Sequence, residues 1–142
     1  EFKKSLEKAK ISQENILVSQ SFEKALLDLS ADPKVNEIFV IGDSDSEVYE
    51  SSINGKYRDY CKMIIASRIN KEIECDTFIP DIENFQRKDA TFMPLHISET
   101  YSQDDIEFDY CFFGNYKVLN SHKNLMPWFY LLLKIWRGPC SR

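Results

Sequence analysis

The spacing of apolar positions changes several times along the chain, and each spacing predicts an element. Phe22, Ala25, Leu26 and Leu29 fall at i, i+3, i+4 and i+7, which puts them on one face of a helix. Ser21 stands where an N-cap belongs, after the short apolar run Ile16 to Val18, and Asp32-Pro33 breaks the pattern. Ile38 to Ile41 is continuously apolar, which predicts a strand buried on both faces, as in a parallel sheet. A helix from about Asp45 to Ile53 follows and is stopped by Asn54-Gly55, and Met63 to Ile69 forms the next strand. Strand, helix and strand at this separation make a βαβ unit.

The C-terminal half alternates with period two. Leu95, Ile97 and Tyr101 precede Ser-Gln-Asp-Asp, and Ile106, Phe108, Tyr110 and Phe112 follow it, the pattern of an antiparallel hairpin. The fold class is therefore α/β, a mixed sheet with a βαβ unit and a C-terminal hairpin. Leu125 to Trp136 is densely apolar but too short for a membrane helix, which needs about 20 residues. A buried terminal helix or an exposed, aggregation-prone tail is the expectation there.

Composition narrows the function classes. With 142 residues and 43% hydrophobic content, the chain can build one domain around a real core. A net charge of −5, with Lys and Arg scattered, argues against a nucleic-acid surface. Cys61, Cys75, Cys111 and Cys140 form no CxxC and read as free thiols in a reducing, cytoplasmic setting. The opening EFKKSLEKAK carries no signal peptide and no initiating methionine, so the sequence reads as a fragment.

Candidate chemistry gathers after the first strand, in Ile41-Gly42-Asp43-Ser44-Asp45-Ser46-Glu47. A calcium loop starting at Asp43 fails, because Val48 and Asn54 stand where glycine and glutamate are required. Gly42-Asp43-Ser44 resembles the opening block of GDSL esterases, with Ser44 as nucleophile, but neither His96 nor His122 has aspartate three residues before it. A helix start after a strand also suits phosphate. The plainer reading is a capping box, Ser44 with Glu47, and it is the stronger of the two.

Three segments together resemble the C-terminal half of dihydrofolate reductase: ILVSQSFEKALLDL, NEIFVIG…EVYESSI and YCKMIIASRINKEIECDTFIPDI. The hairpin ISETYSQDDIEFDYCFFGNY is similar to that family's last two strands, and the whole is most like the reductase half of bifunctional dihydrofolate reductase–thymidylate synthases. On this resemblance residues 1–117 are a partial reductase domain lacking its N-terminal part, and 118–142 is an unassigned apolar tail. The implied chemistry is reduction of dihydrofolate by hydride transfer from NADPH, in one-carbon metabolism, with a thymidylate synthase domain as a possible partner. Carried over by position, Ile41 and Thr77 line the substrate pocket. Gly42, Ser44, Tyr49, Ser19 and Gln20 fall at the cofactor. The catalytic carboxylate lies upstream in the family, so none is assigned in this chain. Ile41 and Tyr49 are also ordinary core residues of any βαβ protein, and only their joint spacing argues for a site.

The junction departs from the family's pattern. Asp43 stands where a second glycine is expected, and Val48-Tyr49 arrives late. Asp43, Asp45 and Glu47 would oppose a diphosphate, and Gln20 supplies no cation for a 2′-phosphate. Weak or absent NADPH binding is the expectation. The family's first strand also lies between the strands at 38–41 and 63–69. Without it two apolar edges face a gap, which predicts a chain that does not fold natively alone.

Overall fold

A computed structural model describes residues 2–10, 14, 16–41, 46–72, 74, 82, 91–119 and 129–136. The chain divides into two compact units, Glu1–Asp32 and Pro33–Arg142. The first holds α1 (Phe2–Lys8) and α2 (Phe22–Ala31). The helical spacing and cap at α2 are realised: the Ser21 hydroxyl accepts the Lys24 backbone N–H at 3.1 Å, and Leu26 is buried. Asp32 is extended and ends the helix before Pro33.

The second unit contains β1 (Ile38–Ile41), α3 (Ser46–Ile53), a 3₁₀ turn at Arg58–Tyr60 and β2 (Cys61–Asn70). It continues with β3 (Phe92–Ile97), β4 (Tyr101–Gln103), β5 (Ile106–Asn115), α4 (Tyr116–Leu119) and β6 (Phe129–Trp136). Among the described residues six strands form one mixed sheet in the order β1-β6-β2-β5-β3, with β4 also on β5. The βαβ expectation holds in direction: β1 and β2 both run parallel to β6, and α3 lies between them in sequence. They are not neighbours, because β6 separates them.

That placement corrects the reading of the apolar tail. Phe129–Trp136 is neither a terminal helix nor an exposed tail. It pairs with β1 from Ile38↔Phe129 to Ile41↔Leu132 and with β2 from Cys61↔Phe129 to Ile69↔Trp136. The gap expected between these two strands is filled by the chain itself. A short continuous apolar run carries no period, and a central parallel strand needs none because both of its faces meet other groups.

The sheet buries one face. Ile64 and Ala66 of β2, Cys111 and Phe113 of β5, and Phe129 and Leu131 of β6 are at most 1% exposed. On the opposite face Ile65, Phe112 and Leu132 are half-buried and only the β1 end is open, which corrects the expectation for β1: Phe39 is 54% exposed and Ile41 78%. β1 pairs with β6 alone among the described residues, so it is an edge strand with one covered side.

The hairpin expectation is met. Gln103 pairs with Ile106 around Asp104 and Asp105, whose φ values of 52° and 61° lie in the left-handed region that a tight two-residue loop requires. β3 extends the pairing along β5 after an irregularity between Pro94 and His96. At the end of α3 the Gly55 N–H reaches the Glu50 carbonyl at 2.8 Å. A Cβ on Gly55 would stand 2.7 Å from the Ser51 Cα, so the stop signal at Asn54-Gly55 is a steric requirement.

Candidate functional site

Because β1, β6 and β2 run in the same direction, their carboxyl ends share one edge of the sheet, the edge where α/β folds place ligands. Ile41 ends β1 there with its side chain in the open, stacked in register against Leu132. Tyr49 lies on α3 and is 6% exposed, so its ring offers a ligand almost no surface. Gly42, Ser44 and Thr77 lie outside the described residues.

Ser19 and Gln20 belong to the first unit. The Ser19 hydroxyl donates to the Ser21 carbonyl at 3.2 Å, which holds the turn before α2. Gln20 is exposed and neutral. Lys24, one helical turn on, pairs with Asp28 at 3.1 Å. Both side chains of that pair are more than half exposed, so it is solvated and weak.

One cavity, of about 120 Å³, is described at the carboxyl end of β2, lined by Arg68, Asn70, Thr100, Glu107, Phe108 and Asp109. The Arg68 guanidinium donates twice to Asp109, Nε to Oδ1 at 2.7 Å and Nη2 to Oδ2 at 2.9 Å. Arg68↔Asp109 is a directly opposed β2–β5 pair, and Asn70↔Glu107 lies two positions along on the same face. A drug-sized ligand needs roughly 300–1,000 Å³, so this space suits a few waters. With two carboxylates around one paired guanidinium, it repels phosphate. No local motif marks the pair, since its members are 41 residues apart and only strand register joins them.

Two groups with nucleophile or base chemistry are accounted for. Burial pushes the Cys61 thiol up to about 12 from 9.0, against the weaker pull of its bonds to the Met63 and Leu131 backbone. It stays protonated at physiological pH and is no nucleophile. His96 sits on β3 in the same cross-sheet row as Ile41: Ile41↔Leu132↔Ile65↔Phe112↔His96. Four interstrand steps separate Ile41 from His96 by about 19 Å.

The fold and this edge define an α/β protein with a mixed sheet crossed by a βαβ unit. No family model matches the chain. Over 111 residues it is 31% identical to the bifunctional dihydrofolate reductase–thymidylate synthase of Daucus carota, an alignment covering 76% of this chain. The aligned part is 19% of the carrot protein's length. The chain carries a dihydrofolate-reductase-like region, a distant homologue of that enzyme.

NADPH, which that family implies, can be tested against the described residues. Its phosphates need cations and its nicotinamide an open ring face. Gln20 supplies no cation to a phosphate, and the buried Tyr49 offers a nicotinamide no open ring face.

Proposed function

We propose that the chain is a reductase-like region whose family reaction is NADPH-dependent reduction of dihydrofolate to tetrahydrofolate, and that by itself it binds NADPH weakly and turns over little. The observation that carries this reading is the 31% identity over 111 residues. Ile41 and Thr77 are assigned to the substrate side. Gly42, Ser44, Tyr49, Ser19 and Gln20 are assigned to the cofactor side. A thymidylate synthase domain is the proposed covalent partner, as in the carrot protein's name.

Weak binding follows from charge. Asp43, Asp45 and Glu47 follow β1 in sequence. Each like-charge contact near 4 Å costs about 1 kcal/mol in water and about 4 at a surface-like dielectric. Two such contacts remove roughly one to several decades of affinity. Titrating NADPH into the chain, followed by nicotinamide fluorescence, is expected to give a Kd above about 0.1 mM. Micromolar affinity overturns the weak-binding reading.

A second reading is a non-catalytic remnant that meets a partner through its sheet. The exposed Phe39 and Ile41 on the edge strand β1 favour it. β6 offers no such surface, because both of its edges are paired inside the sheet.

A further inference from the structure

The hairpin of β4 and β5, on the side of the sheet away from β1, carries a cluster of three aromatic rings. Tyr101 is directly opposed to Phe108, and Tyr110 follows two residues along β5 on the same face. Tyr101 stacks on Phe108 with centroids 5.7 Å apart, and Phe108 meets Tyr110 edge-on at 5.9 Å. Tyr101 and Tyr110 also lie 5.9 Å apart. Tyr101 is 41% exposed and Tyr110 40%, so both rings reach solvent.

Charge around this cluster has one sign. From Thr91 to Tyr116 the sequence holds Glu99, Asp104, Asp105, Glu107 and Asp109, and no lysine or arginine. Asp109 is engaged by Arg68, whereas Glu99, Asp104, Asp105 and Glu107 are exposed. The acids flank the rings at both ends. Asp104 and Asp105 form the turn, one residue pair beyond Tyr101↔Phe108 and Gln103↔Ile106. Glu99 follows Ser98, whose N–H donates to the Tyr110 carbonyl at 2.8 Å. Lys71, beyond β2, is offset by Glu72 beside it. Lys134 is two interstrand steps from Tyr110, through Ser67.

We propose that this face of the hairpin binds an extended, arginine-bearing segment of a partner protein. Charge selects the sign of the occupant: phosphate-bearing partners, and a second copy of this chain at −5, meet like charge here. The rings select arginine, whose flat guanidinium stacks on an aromatic face where a lysine ammonium acts as a compact, strongly hydrated charge. Spacing selects an extended segment, because its alternate side chains repeat about every 6.8 Å. That repeat suits one guanidinium on Tyr110 and the next on Tyr101, with a third reaching the Asp104-Asp105 turn. The site is separate from the exposed edge at Phe39 and Ile41 and uses none of the residues assigned to substrate or cofactor.

The test titrates a fluorescent octapeptide of four Arg-Gly repeats with the full-length chain at low salt, read by anisotropy. Saturable binding is expected, with the equally charged Lys-Gly octapeptide at least about twofold weaker. Tyr101→Leu and Tyr110→Leu keep an apolar side chain and remove the ring, and each should weaken Arg-Gly binding about two- to fivefold. Asp104→Asn with Asp105→Asn should weaken it about threefold, since asparagine tolerates the positive φ of both positions. Each variant's urea midpoint reports whether it is folded. If the leucine variants do not fold, the asparagine variant and the lysine comparison decide. Absence of saturable binding overturns the proposal. So do equal affinities for the arginine and lysine peptides, or a folded leucine or asparagine variant that binds as the parent chain does. None of these readouts depends on NADPH or folate.

Discussion

Asn115 fastens three pieces of the second unit with one side chain. Its amide nitrogen donates to the Arg58 and Cys61 carbonyls, both at 3.0 Å, and its oxygen accepts the Lys117 and Val118 N–H groups at 3.1 and 3.3 Å. It is fully buried at the end of β5, so no water stands ready to replace it. Asn115→Ala strands two carbonyls and two N–H groups, and each group left unsatisfied costs about 1–3 kcal/mol. With partial relaxation the expected loss is about 2–4 kcal/mol, read from the shift in the urea unfolding midpoint. Asn115→Asp keeps the acceptor bonds but puts an oxygen against two carbonyls, and should lose at least as much. Nothing near Asn115 in the sequence marks this role, since Gly-Asn after a strand reads as an ordinary turn signal. The Arg68–Asp109 pair is equally silent, for the same reason: its partner is set by register across the sheet.

At the scale of elements, α2 and β6 are opposite cases. α2 is written locally, in a four-position apolar stripe, a serine cap and a proline stop, and it forms where those signals place it. The hairpin is also local, with period two on both sides of a loop that holds Asp104 and Asp105 at positive φ. β6 has no local signature beyond apolarity, because Leu131, Leu132 and Leu133 would suit a helix as well as a strand. Its two faces nonetheless differ in weight. Leu131 is fully buried and Leu132 only partly. Leu131→Ala is expected to cost about 2–5 kcal/mol, the range for deleting a leucine in a closed core. Leu132→Ala should cost clearly less, about half or below, because solvent fills part of the space it leaves. Equal losses in denaturant unfolding would mean that the strand is not seated in the register described.

For the whole molecule, β6 changes what the resemblance means. The resemblance implies a further strand between the strands that are here β1 and β2, and an empty slot there would predict a chain that does not fold alone. The C-terminal strand stands in that place, so the sheet is continuous from β1 to β3. A chain ending at residue 128 would leave both walls of the slot unpaired beside fully buried apolar positions. It is expected to lose the cooperative thermal transition of the full chain and to aggregate at micromolar concentration, a change visible by calorimetry and light scattering. A full-length chain that melts without cooperativity would show instead that β6 does not complete the sheet.

The sequence by itself determined the α/β class, α2 with its cap and stop, the direction of the βαβ unit, the hairpin, and the likeness to dihydrofolate reductase. All of these rest on short-range spacing or on the identity of contiguous blocks. Only the tertiary structure decided that β1 is an edge with Ile41 in the open, that Arg68 meets Asp109, and that the apolar tail is a central strand. Each of those depends on pairing between segments tens of residues apart. Burial and register are properties of the assembled sheet, and a run such as Phe129–Trp136 acquires its role from the two edges that need it.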